Sequence, residues 1–358
     1  MAILNGTTVF LLAAGWGYPM MTLPMMPPAI GQPVAASPDV SGVNVVPISV
    51  QNSERSEHWR RTPGDESRGF ILPHALDELW FHTGTACNLA CPFCLEGSKP
   101  GDNRLQILRI DDALPFIDEA LGLGVKQFSF TGGEPFINKD IVRILDYALL
   151  YRPCLVLTNA TEPLLRRLKQ LEPLRNHPHE LSFRVSLDYP EATRHDAGRG
   201  EGMFAQALEG LRKLHEMGFH VSVASQSSPG VLAHLVSMRF AEVFRDAGLP
   251  ENLPRIEFPE FHPPNAEVTP PQITEHCMTA FQTEETRRSF MCAFSKMVVK
   301  SEGRMQVYAC TLVDDDPDYI LGETLTEALR LSVSMKHHRC YSCFKYGASC
   351  SEMRSASK

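Results

Sequence analysis

Residues 82–98 read HTGTACNLACPFCLEGS, and this stretch decides the fold of the chain. Its three cysteines, Cys87, Cys91 and Cys94, fall within eight residues, and no fourth cysteine follows close by. Structural zinc sites usually close with four protein ligands. Three thiolates on one loop instead suit a four-iron cluster that leaves one iron open to another ligand. Taken alone, the stretch keeps a zinc site or a purely structural role open.

The composition is typical of a soluble globular protein. The chain has 358 residues, of which 43% are hydrophobic and 21% charged, so it can bury a large core. Its net charge of −8 argues against a nucleic-acid binder, which would carry a basic surface. No apolar run approaches the roughly 20 residues that span a bilayer, and VFLLAA near the start lacks the preceding Lys or Arg of a signal peptide. We therefore expect a cytoplasmic protein with no membrane or nucleic-acid partner, whose ten cysteines are reduced.

Residues 1–75 are predicted to form an N-terminal extension. GWGYPMMTLPMMPPAIGQP (15–33) is rich in Pro and Met without a helical period, which indicates an extended or partly disordered arm. A cover over an active-site mouth is the alternative. Residues 51–70 are polar and are predicted to be a linker.

From residue 77 onward, predicted strands alternate with predicted helices. Asn138 is the predicted N-cap of the second helix, and Gly218 is predicted to end the third. Six strands separated by helices indicate parallel pairing with right-handed crossovers. The prediction is an α/β fold, a partial (β/α)6 TIM-like barrel over residues 76–265. The predicted strands are DELWFHTG (77–84), VKQFSF (125–130), CLVLTNA (154–160), LSFRVSLD (181–188), HVSVASQS (220–227) and RIEFPEF (255–261).

After residue 265 the alternation stops, and residues 266–358 are predicted to form a small α+β domain. KMVVKSEGRMQVYAC (296–310) has the pattern of a β-hairpin that turns at Glu302–Gly303. LTEALRLSVSM (325–335) is predicted to be a helix with a capping box formed by Thr324 and Glu327. A cysteine-rich tail follows.

A second motif, FTGGEPFIN (130–138), ends the second predicted strand. This motif occurs together with the spacing Cys87-x3-Cys91-x2-Cys94 and with Phe93 before the last cysteine. In both motifs the chain resembles the radical S-adenosylmethionine (SAM) superfamily. The resemblance implies that Cys87, Cys91 and Cys94 bind a [4Fe–4S] cluster whose fourth iron binds SAM. It also implies that Gly132, Gly133, Glu134 and Pro135 hold the SAM amino group and that Phe93 packs against the adenine. Glycine allows close backbone approach, and Glu134 can accept charge-assisted hydrogen bonds.

Further SAM contacts follow from the same resemblance. Asn159 corresponds to a polar residue near the ribose, and Arg199 to a partner of the SAM carboxylate. Ser186, Asp188 and Gln226 end strands, at the edge where barrel active sites form. Each of these residues has an alternative role in capping or loop structure.

The C-terminal cysteines resemble the SPASM or twitch extension of radical SAM enzymes. Cys292 and Cys310 flank the predicted hairpin, and Cys340 and Cys343 follow it. Four thiolates complete an auxiliary [4Fe–4S] cluster, with structural zinc as the alternative. The gap after Gly303 is longer than usual, and no cysteine follows Cys350, so we expect one auxiliary cluster with Cys350 as a ligand or spare thiol. The catalytic residues are unknown; Cys154 and Cys277 are predicted to be incidental, with hydrogen-atom donation as the alternative.

The resemblance implies reductive cleavage of SAM to a 5′-deoxyadenosyl radical, which abstracts a hydrogen atom from the substrate. The favoured prediction is an oxidoreductase or maturase acting on a peptide, as in the maturation of ribosomally made natural products. The alternative is a dehydrogenase or epimerase acting on a sugar or aminocyclitol. An electron donor such as flavodoxin or ferredoxin is implied. A non-enzymatic iron–sulfur or zinc protein would leave GGEP unexplained.

Overall fold

A computed structural model describes residues 55–228, 230–258 and 269–347. The strands are β1 (Phe70–Ile71), β2 (Glu78–His82), β3 (Gln127–Thr131), β4 (Cys154–Thr158), β5 (Leu181–Ser186), β6 (His220–Gln226), β7 (Arg255–Phe258), β8 (Ser295–Ser301), β9 (Arg304–Tyr308), β10 (Ile320–Gly322) and β11 (Val333–Ser334). The helices are α1 (Ile110–Gly122), α2 (Ile141–Ala148), α3 (Glu162–Leu165), α4 (Leu168–Leu171), α5 (Ala192–Arg199), α6 (Met203–Glu216), α7 (Ala233–Asp246), α8 (Glu275–Phe281), α9 (Glu284–Arg288), α10 (Met291–Phe294), α11 (Leu325–Ala328) and α12 (His338–Tyr346).

One nine-stranded sheet in the order β10-β9-β8-β2-β3-β4-β5-β6-β7 organises the fold. Strands β2 to β7 are parallel neighbours in chain order, which confirms the predicted α/β fold with six barrel strands. Their interior is apolar; Phe81, for example, stacks on Phe130 with ring centroids 5.3 Å apart. Parallel strands with helical crossovers bring their carboxyl ends to one edge.

The predicted hairpin is present, but it is not separate from the barrel. Glu302 and Gly303 both have positive φ values, 51° and 76°, as a two-residue hairpin turn requires. β8 also pairs in parallel with β2, from Glu78 beside Ser295 to Phe81 beside Val298. The cysteine-rich C-terminal region therefore shares the barrel's sheet.

The C-terminal helices differ from the prediction. The Thr324–Glu327 capping box is present, but α11 ends at Ala328, and β11 lies within the predicted helix. The tail instead contains α12, where Cys340 and Cys343 are three residues apart and so lie on one face. Strand pairing between β11 and β1 replaces the predicted helix here.

Two smaller predictions also need correction. Asn138 does not cap α2, which begins after Asp140; its side chain accepts a hydrogen bond from the Asp140 backbone N–H at 2.9 Å. Part of the predicted linker is packed: Trp59 is buried with its ring 5.0 Å from that of Tyr319.

Residues 1–54, including the Pro- and Met-rich arm, lie outside the described residues. None of the described helices is long and apolar enough to cross a bilayer.

Candidate active site

A cavity of about 600 Å³ opens at the carboxyl ends of the barrel strands. This volume suits a cofactor together with part of a substrate. The predicted site residues that line the cavity are Cys87, Cys91, Phe93, Cys94, Gly132, Gly133, Asn159, Ser186, Asp188, Arg199 and Gln226. Sequence reasoning missed Trp80, Glu96, Ser98, Tyr189, Arg194, Thr311 and Leu312, which also line it.

The cysteine loop after β2 presents its three thiols to this cavity. Burial raises the pKa of Cys87 to about 12, and it also raises the pKa values of Cys91 and Cys94. Cys87 Sγ accepts a hydrogen bond from the Leu89 N–H at 3.4 Å and lies 3.9 Å from Asn159 Nδ2. Buried thiols of this kind become thiolates when a metal binds them.

The sulfur spacing favours a cluster over a single ion. Four sulfurs around one zinc ion, at 2.3 Å each, would lie about 3.8 Å apart. Within the described ranges, the one trio of His, Cys, Asp or Glu ligand atoms that lie within 4.8 Å of one another contains no cysteine. The three cysteine thiols are not among these atoms, so they are not gathered around a single-ion site, and a four-iron cluster suits them because each sulfur binds a different iron.

The GGEP turn is held against the cysteine loop. Gly133 N–H donates to Gly84 O at 2.9 Å, and Glu134 N–H donates to Ala86 O at 3.0 Å. A Cβ at Gly133 would lie 2.3 Å from Ala86 O. The glycine therefore permits close approach between two protein backbones, whereas the sequence suggested approach to a ligand.

Glu134 and Pro135 are buried and do not line the cavity. The Glu134 carboxylate accepts hydrogen bonds from Phe136 N–H, Thr158 Oγ1 and Asn159 N–H at 2.8–3.1 Å. Burial raises its pKa to about 7, although these bonds oppose the shift. The geometry makes Glu134 a brace between the ends of β3 and β4, and its contact with the SAM amino group stays a prediction.

An ion pair also lines the cavity. Arg199 donates two hydrogen bonds to the Asp188 carboxylate, one of them 2.8 Å long. The Arg199 guanidinium also lies 5.6 Å from the centre of the Phe93 ring, and a Cβ at Gly198 would meet that ring at 2.3 Å. The Asp188–Arg199 pair is thus packed against Phe93 of the cysteine loop.

The second cysteine set lies on the hairpin side of the sheet. Cys292, Cys310 and Cys343 are buried, Cys340 is largely buried, and none forms a disulfide. Burial raises the pKa of Cys340 to about 12, and it also raises the pKa values of Cys292 and Cys310. Repulsion between neighbouring thiolates adds to each of these three shifts. The four thiols therefore lie in one buried region of the hairpin side.

A buried polar trio connects the two cysteine regions. His82 Nδ1 accepts a hydrogen bond from Gly84 N–H at 3.2 Å, so Nε2 carries the proton and faces Glu96 Oε2 at 3.0 Å. Asp314 is the third member, with both carboxylate oxygens buried. A metal-bound histidine normally donates its other N–H, so this hydrogen-bond pattern opposes a metal ion here.

Two further predicted cysteines, Cys154 and Cys277, lie away from the cavity. Cys154 begins β4, at the end of the strand opposite the cavity. Cys277 lies on α8, where its sulfur is 3.3 Å from Thr274 Oγ1. Cys350 lies outside the described residues.

Comparison with known proteins identifies the barrel. Residues 81–230 match the family model described as the radical SAM superfamily. Residues 81–230 are a radical SAM domain. A [4Fe–4S] cluster and SAM are the cofactors of this superfamily, and the three cysteines that line the cavity are ligands of the type that such a cluster requires.

Individual relatives resemble only part of the chain. The subtilosin biosynthesis protein AlbA of Bacillus subtilis is 34% identical over 172 residues, or 47% of this chain and 36% of AlbA. The mycofactocin maturase MftC of Mycolicibacterium smegmatis is 31% identical over 135 residues, or 37% of this chain and 33% of MftC. The matched region thus spans about a third of these radical SAM relatives. SuiB of Streptococcus suis, in a structure with its precursor peptide SuiA, shares the fold, with a TM-score of 0.53, 13% identity and coverage of 73% of this chain and 65% of SuiB.

Proposed function

We propose that this chain is a radical SAM maturase that modifies a peptide, using two iron–sulfur clusters. Cys87, Cys91 and Cys94 would hold the cluster that binds SAM. A SPASM- or twitch-like extension would hold an auxiliary [4Fe–4S] cluster on Cys292, Cys310, Cys340 and Cys343. When bound, the first cluster and SAM would supply a 5′-deoxyadenosyl radical that abstracts a substrate hydrogen atom.

The lining of the cavity by the first cysteine set and by the two residues after Cys310 carries this proposal. The cysteine loop forms one wall, and Thr311 and Leu312, directly after Cys310, form part of another. A substrate in the cavity would therefore lie near both sets. Walls made by Trp80 and Leu157 would shield the reacting atoms from water.

The peptide substrate is supported by the relatives rather than by a particular residue. AlbA takes part in bacteriocin biosynthesis, MftC is a maturase, and SuiB binds a precursor peptide. We propose the same substrate class for this chain. A cytoplasmic flavodoxin or ferredoxin would supply the electron.

Iron analysis tests the cluster assignment. Anaerobically reconstituted protein should contain about eight irons per chain, four for each cluster. Cys310→Ala should lower this number to about four, whereas Cys277→Ala, outside both sets, should retain about eight. Wild-type protein with about four irons and bound zinc would contradict the auxiliary cluster.

SAM cleavage tests the first cluster. Replacing Cys87, Cys91 and Cys94 with Ala should abolish formation of 5′-deoxyadenosine under reducing conditions. Cys277→Ala should preserve it. Normal cleavage by the triple variant would refute the central assignment.

Substrate choice requires a separate experiment. A short peptide encoded beside this chain's gene should change mass when co-expressed with the wild-type protein and should remain unchanged with the triple cysteine variant. If a sugar or aminocyclitol, but not the peptide, is converted, the small-molecule alternative is correct.

A further inference from the structure

A lysine is buried beside the second cysteine set. Lys296 lies on β8 with a relative exposure of 0%. Its Nζ donates hydrogen bonds to Cys292 O at 2.7 Å and to Ser295 O at 2.9 Å. The side chain is therefore held at the cysteine site by two backbone acceptors.

Lys296 has no carboxylate within ion-pair distance in the part of the chain that the structure describes. Lys300, on the same strand, pairs with Asp112 at 2.6 Å, and Lys336 pairs with Asp316 at 2.8 Å. Burial lowers the pKa of Lys296, and the opposing influence comes from Cys292 and Cys310. A buried cation without a counter-ion is costly, so an anion in its surroundings is expected.

We propose that Lys296 is the internal counter-charge of the auxiliary cluster and raises the reduction potential of that cluster. The inference rests on the proposed function, because the four cysteines must bind the cluster. Four thiolates and a cluster carry net negative charge, and reduction adds another electron. A nearby ammonium stabilises the reduced form more than the oxidised form, since net charge is one of the factors that set cluster potentials. Lys296 would thus act on the cluster through its charge, without contacting the substrate.

The test is an EPR-monitored redox titration of the reconstituted protein. Lys296→Met removes the charge while keeping a long apolar side chain, and Lys296→Arg keeps the charge. Lys300→Met is the matched control, because it removes a lysine charge from the same strand. Lys296→Met should lower the reduction potential of the auxiliary cluster by at least about 59 mV, which corresponds to a tenfold decrease in the equilibrium constant for one-electron reduction. The potential of the SAM-binding cluster should stay unchanged, as should both potentials in Lys300→Met.

Other results separate the possible failures. An unchanged auxiliary potential in Lys296→Met, with about eight irons present, would overturn the proposal. Loss of about four irons in both Lys296→Met and the neutral hydrogen-bond donor Lys296→Gln, but not in Lys296→Arg, would support it, since charge distinguishes Lys296→Arg from Lys296→Gln. Loss in both Lys296→Met and Lys296→Arg would assign Lys296 a packing role and overturn the proposal. Wild-type protein lacking the auxiliary irons would instead refute the proposed function.

Discussion

Gly133→Ala should separate the GGEP turn from the cysteine loop. The new Cβ would lie 2.3 Å from Ala86 O and 2.7 Å from Thr85 O. Both atoms belong to the backbone, so no side chain can rotate out of the way. The turn must move, and the hydrogen bonds from Gly133 N–H to Gly84 O and from Glu134 N–H to Ala86 O must lengthen or break.

The expected loss of stability follows from these contacts. Each of the two buried hydrogen bonds contributes about 1 kcal/mol. Overpacking a well-packed site costs a further 1–3 kcal/mol or so. Together they predict a decrease of about 3–5 kcal/mol in the free energy of unfolding.

Urea denaturation monitored by tryptophan fluorescence would measure this loss on metal-free protein. Gly122→Ala is the matched control, because a Cβ at that helical position meets nothing within 4 Å. It should stabilise the protein by about 0.5–1 kcal/mol, since alanine favours helices over glycine. If Gly133→Ala unfolded at the same urea concentration as Gly122→Ala, the close approach of the two backbones would be refuted.

Two further predictions concern buried charges. The pKa of Glu134, raised to about 7 by burial, means that the folded protein holds this proton more tightly than the unfolded chain. Between pH 4.5 and pH 7, the free energy of unfolding of the wild-type protein should therefore fall by about 3 kcal/mol relative to that of Glu134→Gln. Urea titrations that show the same pH dependence for both proteins would contradict this. Asp188→Asn should destabilise the protein by about 3 kcal/mol, because it leaves the largely buried Arg199 charge without its carboxylate. The exposed Glu284–Arg288 pair provides the control: Glu284→Gln should change the free energy of unfolding by less than about 1 kcal/mol, and an equal effect of the two substitutions would show that Asp188 has no special role.

Local sequence patterns were sufficient for the barrel. Each of the six strands is a short apolar run between turn residues, and each strand–helix unit pairs with the next along the chain. The hairpin turn at Glu302–Gly303 was equally predictable, because two consecutive residues with positive φ require such a sequence. The spacing of Cys87, Cys91 and Cys94 indicated the cofactor because all three expected ligands come from one loop.

Contacts between distant parts of the chain were not predictable from local patterns. Cys340 and Cys343 were recognised as a pair, but the α12 helix that carries them was missed because its sequence is polar and cysteine-rich. β11 was predicted to be helical, and its extended form is stabilised by pairing with β1, more than 250 residues away.

The sequence by itself determined the strand order of the barrel and the cysteines that can bind metal, since both depend on residues close together in the chain. Only the tertiary structure decided that β8 joins β2, which brings the second cysteine set onto the barrel's own sheet. The tertiary structure also places the Glu134 carboxylate outside the cavity lining, in contact with Thr158. It buries Lys296 without a carboxylate partner among the described residues. Burial and hydrogen-bond partners decide these roles, and they arise when segments far apart in sequence pack together.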